Sequence, residues 1–395
     1  MSIELTGTNA AKIASALLTE RRLAGSPSMG MVLTFVVITD EGDHYDALKA
    51  ARAVSREHPS RILGVIRRSA RGAANLDAEV KIGDGGAGEQ VLLRMSGELA
   101  NHPESVVLPL LLPDSPVVCW WPNKPPTDPK ADPIGALAQR RITDTASIER
   151  GRTTAMMTQA HNYADGNTDL SWTRLTPWRA LLAAALDQYP AKIKGGRVSA
   201  EKSNPSADLL VAWLTNRLKV PIDRSTSRGP GITGVSLMTG GGEIQISRPD
   251  GLLAQFTIPN APDRPVALKR RALAELLAEE LRRLDPDDIY EQTVRTLCKI
   301  ADKSGIRRTQ AGKKRAEKLR VAPMVVGTDQ TLAESRATQR QRRAEAERDE
   351  KSTTSAGSAG SAKKTAAKKR SATTSRTRKR SAKKSATARS TRKSS

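Results

Sequence analysis

The chain has 395 residues, which is enough for two domains with sizeable cores. It carries 65 Lys and Arg against 42 Asp and Glu, a formal net charge of +23, and only 38% of its residues are hydrophobic. Fifteen of the positive charges follow residue 350 in a segment without carboxylates, so residues 1–350 carry only +8. The high charge therefore describes a basic appendage more than the folded body.

Cysteine use and hydropathy exclude secreted and membrane-spanning classes. Cys119 and Cys298 are too few for a disulfide framework, and both lie in apolar patterns typical of buried side chains. The first residues lack the basic and apolar regions of a signal peptide. No apolar run approaches the roughly 20 residues needed to span a bilayer. We therefore expect a reduced, soluble, cytoplasmic protein without a membrane partner.

Residues 1–150 have the pattern of a three-layer α/β domain. An amphipathic helix is predicted over 9–23, and a strand–helix–strand unit follows over 31–38, 43–57 and 61–66. Because both strands are continuously apolar, the unit indicates parallel pairing with a right-handed crossover. The other predicted elements are strands at 78–82, 89–95, 116–121 and 142–145 and helices at 101–110 and 133–140.

Residues 165–305 have a different order, typical of an α+β domain. Helices are predicted over 170–186 and 206–218. Three short strands, at 234–238, 243–247 and 252–258, are separated by Gly- and Pro-rich turns and so predict an antiparallel meander. A long helix is then predicted over 266–284, with Pro265 near its first turn, and another from 285 to about 300.

The remaining chain is strongly polar. Residues 306–350 predict a basic, charged linker that is partly helical, and residues 351–395 predict a disordered tail because they cannot bury enough apolar area. The tail is either a solvated extension or a nonspecific contact for nucleic acid through phosphates, without base readout because it has no aromatics. Its candidate contacts are Lys363, Lys364, Lys368, Lys369, Arg370, Arg378, Lys379, Arg380, Lys383 and Lys384.

The motifs of catalysis are absent or out of context. Gly83, Gly85 and Gly88 match the dinucleotide fingerprint, but a strand pattern follows them where a helix N-terminus is needed, so a hairpin turn is favoured. No histidine pairs with another histidine or a cysteine at ligand spacing, and the acidic cluster at 285–288 suits a helix start. We expect no catalytic residues, no bound cofactor and no metal.

Tryptophan and arginine concentrate in two segments. Trp120 and Trp121 are adjacent on a predicted strand, so they point to opposite faces of its sheet. Tryptophan and arginine are enriched at binding hot spots, although filling the core is the alternative for the tryptophans. The candidate protein-interface residues are Trp120, Trp121, Arg140, Arg141, Trp172, Arg174, Trp178 and Arg179.

Several long segments resemble the OpcA family, the glucose-6-phosphate dehydrogenase assembly proteins of actinobacteria and cyanobacteria. The resembling segments, in the family's order, are SREHPSRILGVI (55–66), SVVLPLLLPDSPVVCWWP (105–122), DPIGALAQRRITD (132–144), DLSWTRLTPWRALLAAALDQ (169–188) and LAEELRRLDPDDIY (277–290). The resemblance implies a non-catalytic assembly protein or allosteric activator that binds glucose-6-phosphate dehydrogenase at the entry to the oxidative pentose phosphate pathway. The basic extension after about residue 305 is not part of that resemblance, and neither is redox control.

Two alternatives remain open from the residues alone. One is a nucleic-acid-associated protein that acts through its basic tail. The other is an enzyme with an unfamiliar site, because a chain without recognisable motifs suits either a binding protein or such an enzyme.

Overall fold

The computed structural model describes residues 2–23, 30–82 and 88–319, with side chains described as far as residue 303. Residues Met1–Ala311 form one compact unit. Its strands form two mixed sheets, and helices cover them, in agreement with the predicted α/β and α+β character. Among the described residues, no helix is both long and apolar enough to cross a membrane.

The first sheet has eight strands in the order β1-β4-β5-β3-β2-β6-β7-β8. Strands β5, β3, β2, β6, β7 and β8 pair in parallel, whereas β4 and β1 add an antiparallel edge. The strands are β1 Ser2–Leu5, β2 Leu33–Thr39, β3 Ser60–Arg67, β4 Asn75–Ile82, β5 Gly88–Ser96, β6 Val117–Trp121, β7 Arg140–Thr143 and β8 Asn167–Asp169.

The second sheet has six strands in the order β10-β9-β11-β12-β13-β14. Strands β9 and β10 are parallel and the other neighbours are antiparallel. The strands are β9 Gly195–Ala200, β10 Ile222–Thr226, β11 Ile232–Met238, β12 Glu243–Ser247, β13 Leu253–Thr257 and β14 Arg264–Ala267.

Helices connect the strands and cover their faces. Short 3-10 turns also occur, at Gly97–Ala100, Leu108–Leu110 and Gly135–Leu137. The α-helices are α1 Ala10–Leu23, α2 His44–Val54, α3 Glu104–Val107, α4 Arg152–His161, α5 Leu170–Thr173, α6 Thr176–Gln188, α7 Pro205–Leu218, α8 Leu273–Leu281 and α9 Asp288–Leu319.

Strand β2 divides its side chains between two cores. Every residue of β2 is buried, and its alternate side chains enter different apolar clusters. Val36 and Ile38 pack with Ile13 and Leu17 of α1, whereas Phe35 and Val37 pack with residues of α2 and α8. A strand buried on both faces needs a continuous apolar run, which is why this strand was readable from the sequence.

The second sheet has one buried face. Strands β12 and β13 alternate exposed and buried residues, as expected of a sheet that is solvated on one side. The buried residues join a cluster with Trp178 and Leu182 of α6, Leu210 of α7 and Val294 of α9. Helices therefore cover one face of the meander.

Residues of the second predicted domain complete the first sheet and its core. Strand β8, at Asn167–Asp169, is its last strand, and α8 packs Leu276, Leu277 and Leu281 into the cluster that also holds Phe35 and Trp120. The chain thus returns to its N-terminal sheet after it has formed the second one. The predicted division of the chain into domains at residues 1–150 and 165–305 stays a prediction.

The parallel β2–β3 unit and the antiparallel meander β11–β12–β13 are confirmed. The continuous helix predicted over 266–284 is wrong, because Arg264–Ala267 pairs with β13 and the helix begins only at Leu273. Pro265 belongs to this edge strand, where a missing N–H costs no ladder bond. The helix predicted over 101–110 consists of the short α3 and the 3-10 turn Leu108–Leu110, and the one predicted over 170–186 is interrupted between α5 and α6.

The glycine-rich segment lies between two strands. Strand β4 ends at Ile82, β5 begins at Gly88, and the two pair antiparallel, as the hairpin interpretation predicts. Gly83 and Gly85, the linker from residue 320 and the whole predicted tail lie outside the described residues.

Candidate functional site

The adjacent tryptophans of β6 lie in the two cores of the first sheet. Trp120 stacks on Phe35 with ring centroids 6.1 Å apart, whereas Trp121 packs in the cluster on the opposite face. Their predicted opposite orientation is confirmed. Both are fully buried, so a partner protein cannot reach either side chain in this fold, and we do not retain them as contact residues.

Arg140 and Arg141 are also internal. Arg140 donates from Nη2 to Glu280 Oε2 at 2.6 Å and from Nη1 to the carbonyl of Asp285. Arg141 donates to Asn167 Oδ1 at 2.5 Å and to the carbonyls of Ala138 and Asp165. These arginines tie β7 to α8 and to the loop before β8, which corrects their predicted interface role.

The second group of tryptophans and arginines lies in α5, directly after it and in the first turn of α6. Trp172 is buried and donates from Nε1 to Asp287 Oδ2 at 2.8 Å, and the Arg179 guanidinium lies 3.7 Å from the centroid of its ring. Trp178 is buried too, so neither tryptophan is retained as a contact. Arg179 is partly exposed and stays a candidate.

Arg174 stays a candidate as well, because it opens onto a cleft. It donates through both terminal nitrogens to Asp144, at 2.7 and 2.8 Å, while about a third of its side chain remains exposed. Asp144 follows β7 directly, so this bidentate pair fixes the C-terminal end of α5 to the carboxyl edge of the first sheet.

A buried hydroxyl network supports this edge. Asp169 accepts hydrogen bonds from Thr143 Oγ1 at 2.6 Å, from Thr145 and from the backbone N–H of Ser171. Burial raises the pKa of Asp169, and the nearby Asp144 carboxylate acts in the same direction. The partners lie at the end of β7, in the loop after it and at the start of α5, so the network holds these backbone segments together.

The cleft lies where several elements end. It has a volume of about 330 Å³. Its wall combines the loop after β7, the first turns of α4 and α7, the start of β11 and the segment between β14 and α8. Loops and element termini that converge on one concavity are typical of ligand sites.

The lining of the cleft is strongly basic. A single lining carboxylate, Glu201, faces six cations in this part of the described structure. Two of the cations have their own carboxylates, because Arg174 pairs with Asp144 and Arg271 pairs with Glu279. The lining cations are Arg152, Arg174, Arg248, Lys269, Arg270 and Arg271.

Sequence reasoning found only Arg174 among these cations. The others come from segments that are far apart in the chain and meet only when the second sheet folds beside the first. The run Lys269–Arg270–Arg271, directly before an apolar helix pattern, was the available signal. It was assigned to a helix, and so its convergence with Arg248 was missed.

No metal centre is indicated in the described residues, which contain no cluster of three His, Cys, Asp or Glu side chains able to hold an ion. Burial raises the pKa of Cys119 and of Cys298, which disfavours the thiolate form of both.

Two family models match most of the described chain. Residues 51–160 match the glucose-6-phosphate dehydrogenase subunit N-terminal domain, and residues 165–294 match the corresponding C-terminal domain. Together the two matches cover more than half of the chain. The chain belongs to the OpcA family. The cleft receives Arg152 from the first matched domain and Arg174, Arg248 and Arg270 from the second.

A curated relative agrees with this assignment. The chain is 25% identical over 150 residues to the putative OxPP cycle protein OpcA of Synechocystis sp. (strain ATCC 27184 / PCC 6803 / Kazusa). The match covers 36% of this chain and spans 32% of that protein's length.

Solved structures give weaker likenesses. An oxidoreductase domain protein from Kribbella flavida is 10% identical, with a TM-score of 0.35 over 70% of this chain and 98% of that one. An E. coli structure described as trehalose-6-phosphate bound with UDP-2-fluoro glucose is 11% identical, with a TM-score of 0.21 over 50% and 65% of the two chains. Neither likeness informs function.

Proposed function

We propose that this chain is a non-catalytic assembly protein or allosteric activator that binds glucose-6-phosphate dehydrogenase in the oxidative pentose phosphate pathway. Family membership carries the proposal, because both matched domains are described as parts of a glucose-6-phosphate dehydrogenase subunit. The cyanobacterial relative, whose name refers to the same pathway, supports it.

The chemistry of the described residues supports a non-catalytic role. The buried carboxylates of Asp169 and Glu280 are hydrogen-bonded to side chains of neighbouring elements, so they act as structural ties. The buried Cys119 thiol has a raised pKa, which disfavours the thiolate that a nucleophile requires.

The proposed partner would contact exposed residues of this chain and not the buried tryptophans. Arg174 and Arg179 are the two predicted contacts that remain partly exposed. Both lie within the second matched domain. The matched domains end at residue 294, so the proposal assigns binding to the folded body and gives the basic tail no necessary part.

An activity titration tests the proposal. Purified dehydrogenase from the source organism is assayed with increasing amounts of the full chain and of a chain ending at residue 350. We expect both chains to raise the dehydrogenase rate to the same saturating level, and we expect either chain alone to give no rate.

Serum albumin at the same mass is the control for surface adsorption, and repetition at higher salt removes nonspecific attraction by the tail. If neither chain alters kcat or KM of the dehydrogenase at any ratio, activation is ruled out. If only the full chain acts, the assignment of the effect to the folded body is wrong.

A further inference from the structure

Arg248 is a buried cation without a carboxylate. It is 5% exposed and donates to the carbonyls of Leu268 at 2.6 Å and Ile232 at 3.0 Å, while its Nε has no hydrogen-bond partner. No ion pair involves it in the described part of the chain. The Trp178 ring, whose centroid lies 4.9 Å from Arg248 Cζ, compensates the buried charge only in part, because a buried charge is costly without an opposite charge.

A second guanidinium approaches the same point. The position that a Cβ would occupy on Gly231 lies 3.1 Å from Arg270 Nη2 and 3.9 Å from Arg248 Nη2. Burial, and then the positive charge of Arg270, lower the pKa of Arg248. Two like charges held this close destabilise each other, and an anion between them would reverse that effect.

The surrounding charges leave the cleft positive. Glu201 in the lining and the partners Asp144 and Glu279 offset three of the six cations, so three positive charges remain. Asp250 also lies near Arg248, and the backbone N–H groups of Leu252 and Leu253 lower the pKa of its carboxyl, so its negative charge offsets part of this excess. An anion that enters the cleft meets a net positive field.

The first turn of α7 adds its dipole and one backbone donor. Asn204, Pro205 and Ser206 line the cleft at the start of this 14-residue helix. Pro205 has no N–H, and the Asn204 side chain already accepts from the N–H of Ala207 at 2.9 Å, so the N–H of Ser206 is the donor that this turn can offer. The helix dipole favours negative charge at this end, beside the guanidinium groups.

The size and walls of the cleft indicate more than a bare ion. A cleft of about 330 Å³ lies at the lower end of the range that is typical of small-molecule sites. Pro177, Trp178, Ile232 and Leu268 supply apolar wall beside the cations. This arrangement suits a compact organic molecule that carries a phosphate group.

We propose that this cleft binds a small phosphorylated metabolite, with Arg248 and Arg270 on the phosphate group and the partly exposed Pro177 side of the cleft against its organic body. The site combines residues of both matched domains, so an occupied cleft would stiffen their junction. The inference rests on the cleft alone and does not require that the chain bind glucose-6-phosphate dehydrogenase.

Calorimetric titration of the full chain, without any dehydrogenase, tests the site. The probes are glucose 6-phosphate, pyrophosphate and inorganic phosphate, with glucose as the probe that lacks phosphate, all at about 0.15 M salt to limit nonspecific attraction by exposed cations. We expect one saturable site for glucose 6-phosphate, which binds at least as tightly as inorganic phosphate, and no binding of glucose.

Exposed cations of the cleft supply the test variants. Arg270→Ala and Lys269→Ala each remove an exposed charge for which the described structure gives no ion pair, so both should fold. Each should weaken glucose 6-phosphate binding about tenfold or more, the typical effect of losing a charge-assisted hydrogen bond. Arg264→Ala removes an equal charge from β14 outside the cleft and should leave binding within about twofold.

Several results would overturn the inference. They are the absence of saturable binding by any phosphate probe, an equal loss in Arg264→Ala and Arg270→Ala, or inorganic phosphate that binds more tightly than glucose 6-phosphate. Because the basic tail is identical in all variants, a difference among them reports on the cleft. Thermal unfolding of each variant checks that it is folded.

Discussion

Glu280 links distant parts of the chain through one buried carboxylate. Its Oε2 accepts from Arg140 on β7 and its Oε1 accepts from Thr173 on α5, both at 2.6 Å. Burial raises the pKa of Glu280, whereas the Arg140 charge opposes that shift. The carboxylate is stable there because Arg140 is buried beside it, and each would be costly without the other.

We expect Glu280→Ala to lower the free energy of unfolding by about 3–5 kcal/mol, because it leaves the Arg140 charge buried and uncompensated. Urea unfolding followed by circular dichroism measures this. Glu57→Ala breaks an exposed ion pair with Arg282 and should have a much smaller effect. An equal loss of unfolding free energy in the two variants would show that the buried Arg140–Glu280 pair contributes no more than the exposed pair.

Asp169 gives a pH-dependent prediction. Its folded pKa is raised above the unfolded value of about 3.9, so the folded state binds the proton more tightly. The stability from this proton is fully present below the unfolded pKa and is lost as pH rises through the folded pKa. Asp169→Asn cannot titrate, so the free energy of unfolding of the wild type minus that of the variant should be highest near pH 4 and should fall as the pH rises toward neutral. A difference that grows with rising pH, in urea unfolding at several pH values, contradicts the assignment.

Composition identified the tryptophans and arginines but not their burial. Trp172 is bonded to Asp287, which lies 115 residues away, and Arg140 is bonded to Glu280, which lies 140 residues away. Composition alone does not tell whether such a side chain lies at a binding surface or in the core. Here the hydrogen bonds to carboxylates far away in the chain show that the side chains are internal. The arginines of the cleft were missed because they, too, come together from segments that are far apart in the chain.

Helix α8 shows what packing adds at the scale of elements. It buries Leu276, Leu277 and Leu281 against the first sheet and α2, although it follows the second sheet in the chain. Its apolar periodicity predicted a helix correctly. The periodicity could not give the start, because the preceding Arg264–Ala267 is held as a strand by its ladder with β13.

We expect Leu277→Ala to cost about 3 kcal/mol, since the side chain is fully buried and the cavity would lie between α8 and the sheet. Thermal and urea unfolding measure the loss. Leu253→Ala, at a leucine that is 53% exposed, is the matched control and should change stability by less than about 0.5 kcal/mol. A Leu277→Ala protein as stable as this control would mean that α8 does not pack as described.

The elements that could be predicted from the sequence have hydrophobic patterns that are visible within a few consecutive residues. Strands β2, β3 and β6 are continuous apolar runs, and the meander strands alternate between turns with glycine or proline. Strands β8, β9 and β10 were missed because their residues are largely polar or glycine. They are strands because a neighbouring strand supplies hydrogen bonds, which the local sequence does not encode.

At the scale of the whole molecule, positive charge is concentrated in a few places. Residues 1–350 carry a formal charge of only +8, yet one cleft of the described structure collects six cations around a single lining carboxylate. Both matched family domains contribute to that cleft, so their junction is the place where a small anion could influence an assembly function. Strand β8 and helix α8 come from the second predicted domain, yet β8 joins the first sheet and α8 packs on it, an arrangement that local sequence patterns do not reveal.

The central claim is that the folded body binds glucose-6-phosphate dehydrogenase, and sedimentation velocity tests it most directly. The dehydrogenase is sedimented alone and with increasing amounts of the full chain or of the chain ending at residue 350. We predict a new, faster boundary that contains both proteins, saturates at a fixed ratio and is the same for both chains. Two proteins that sediment independently at every ratio would contradict the account.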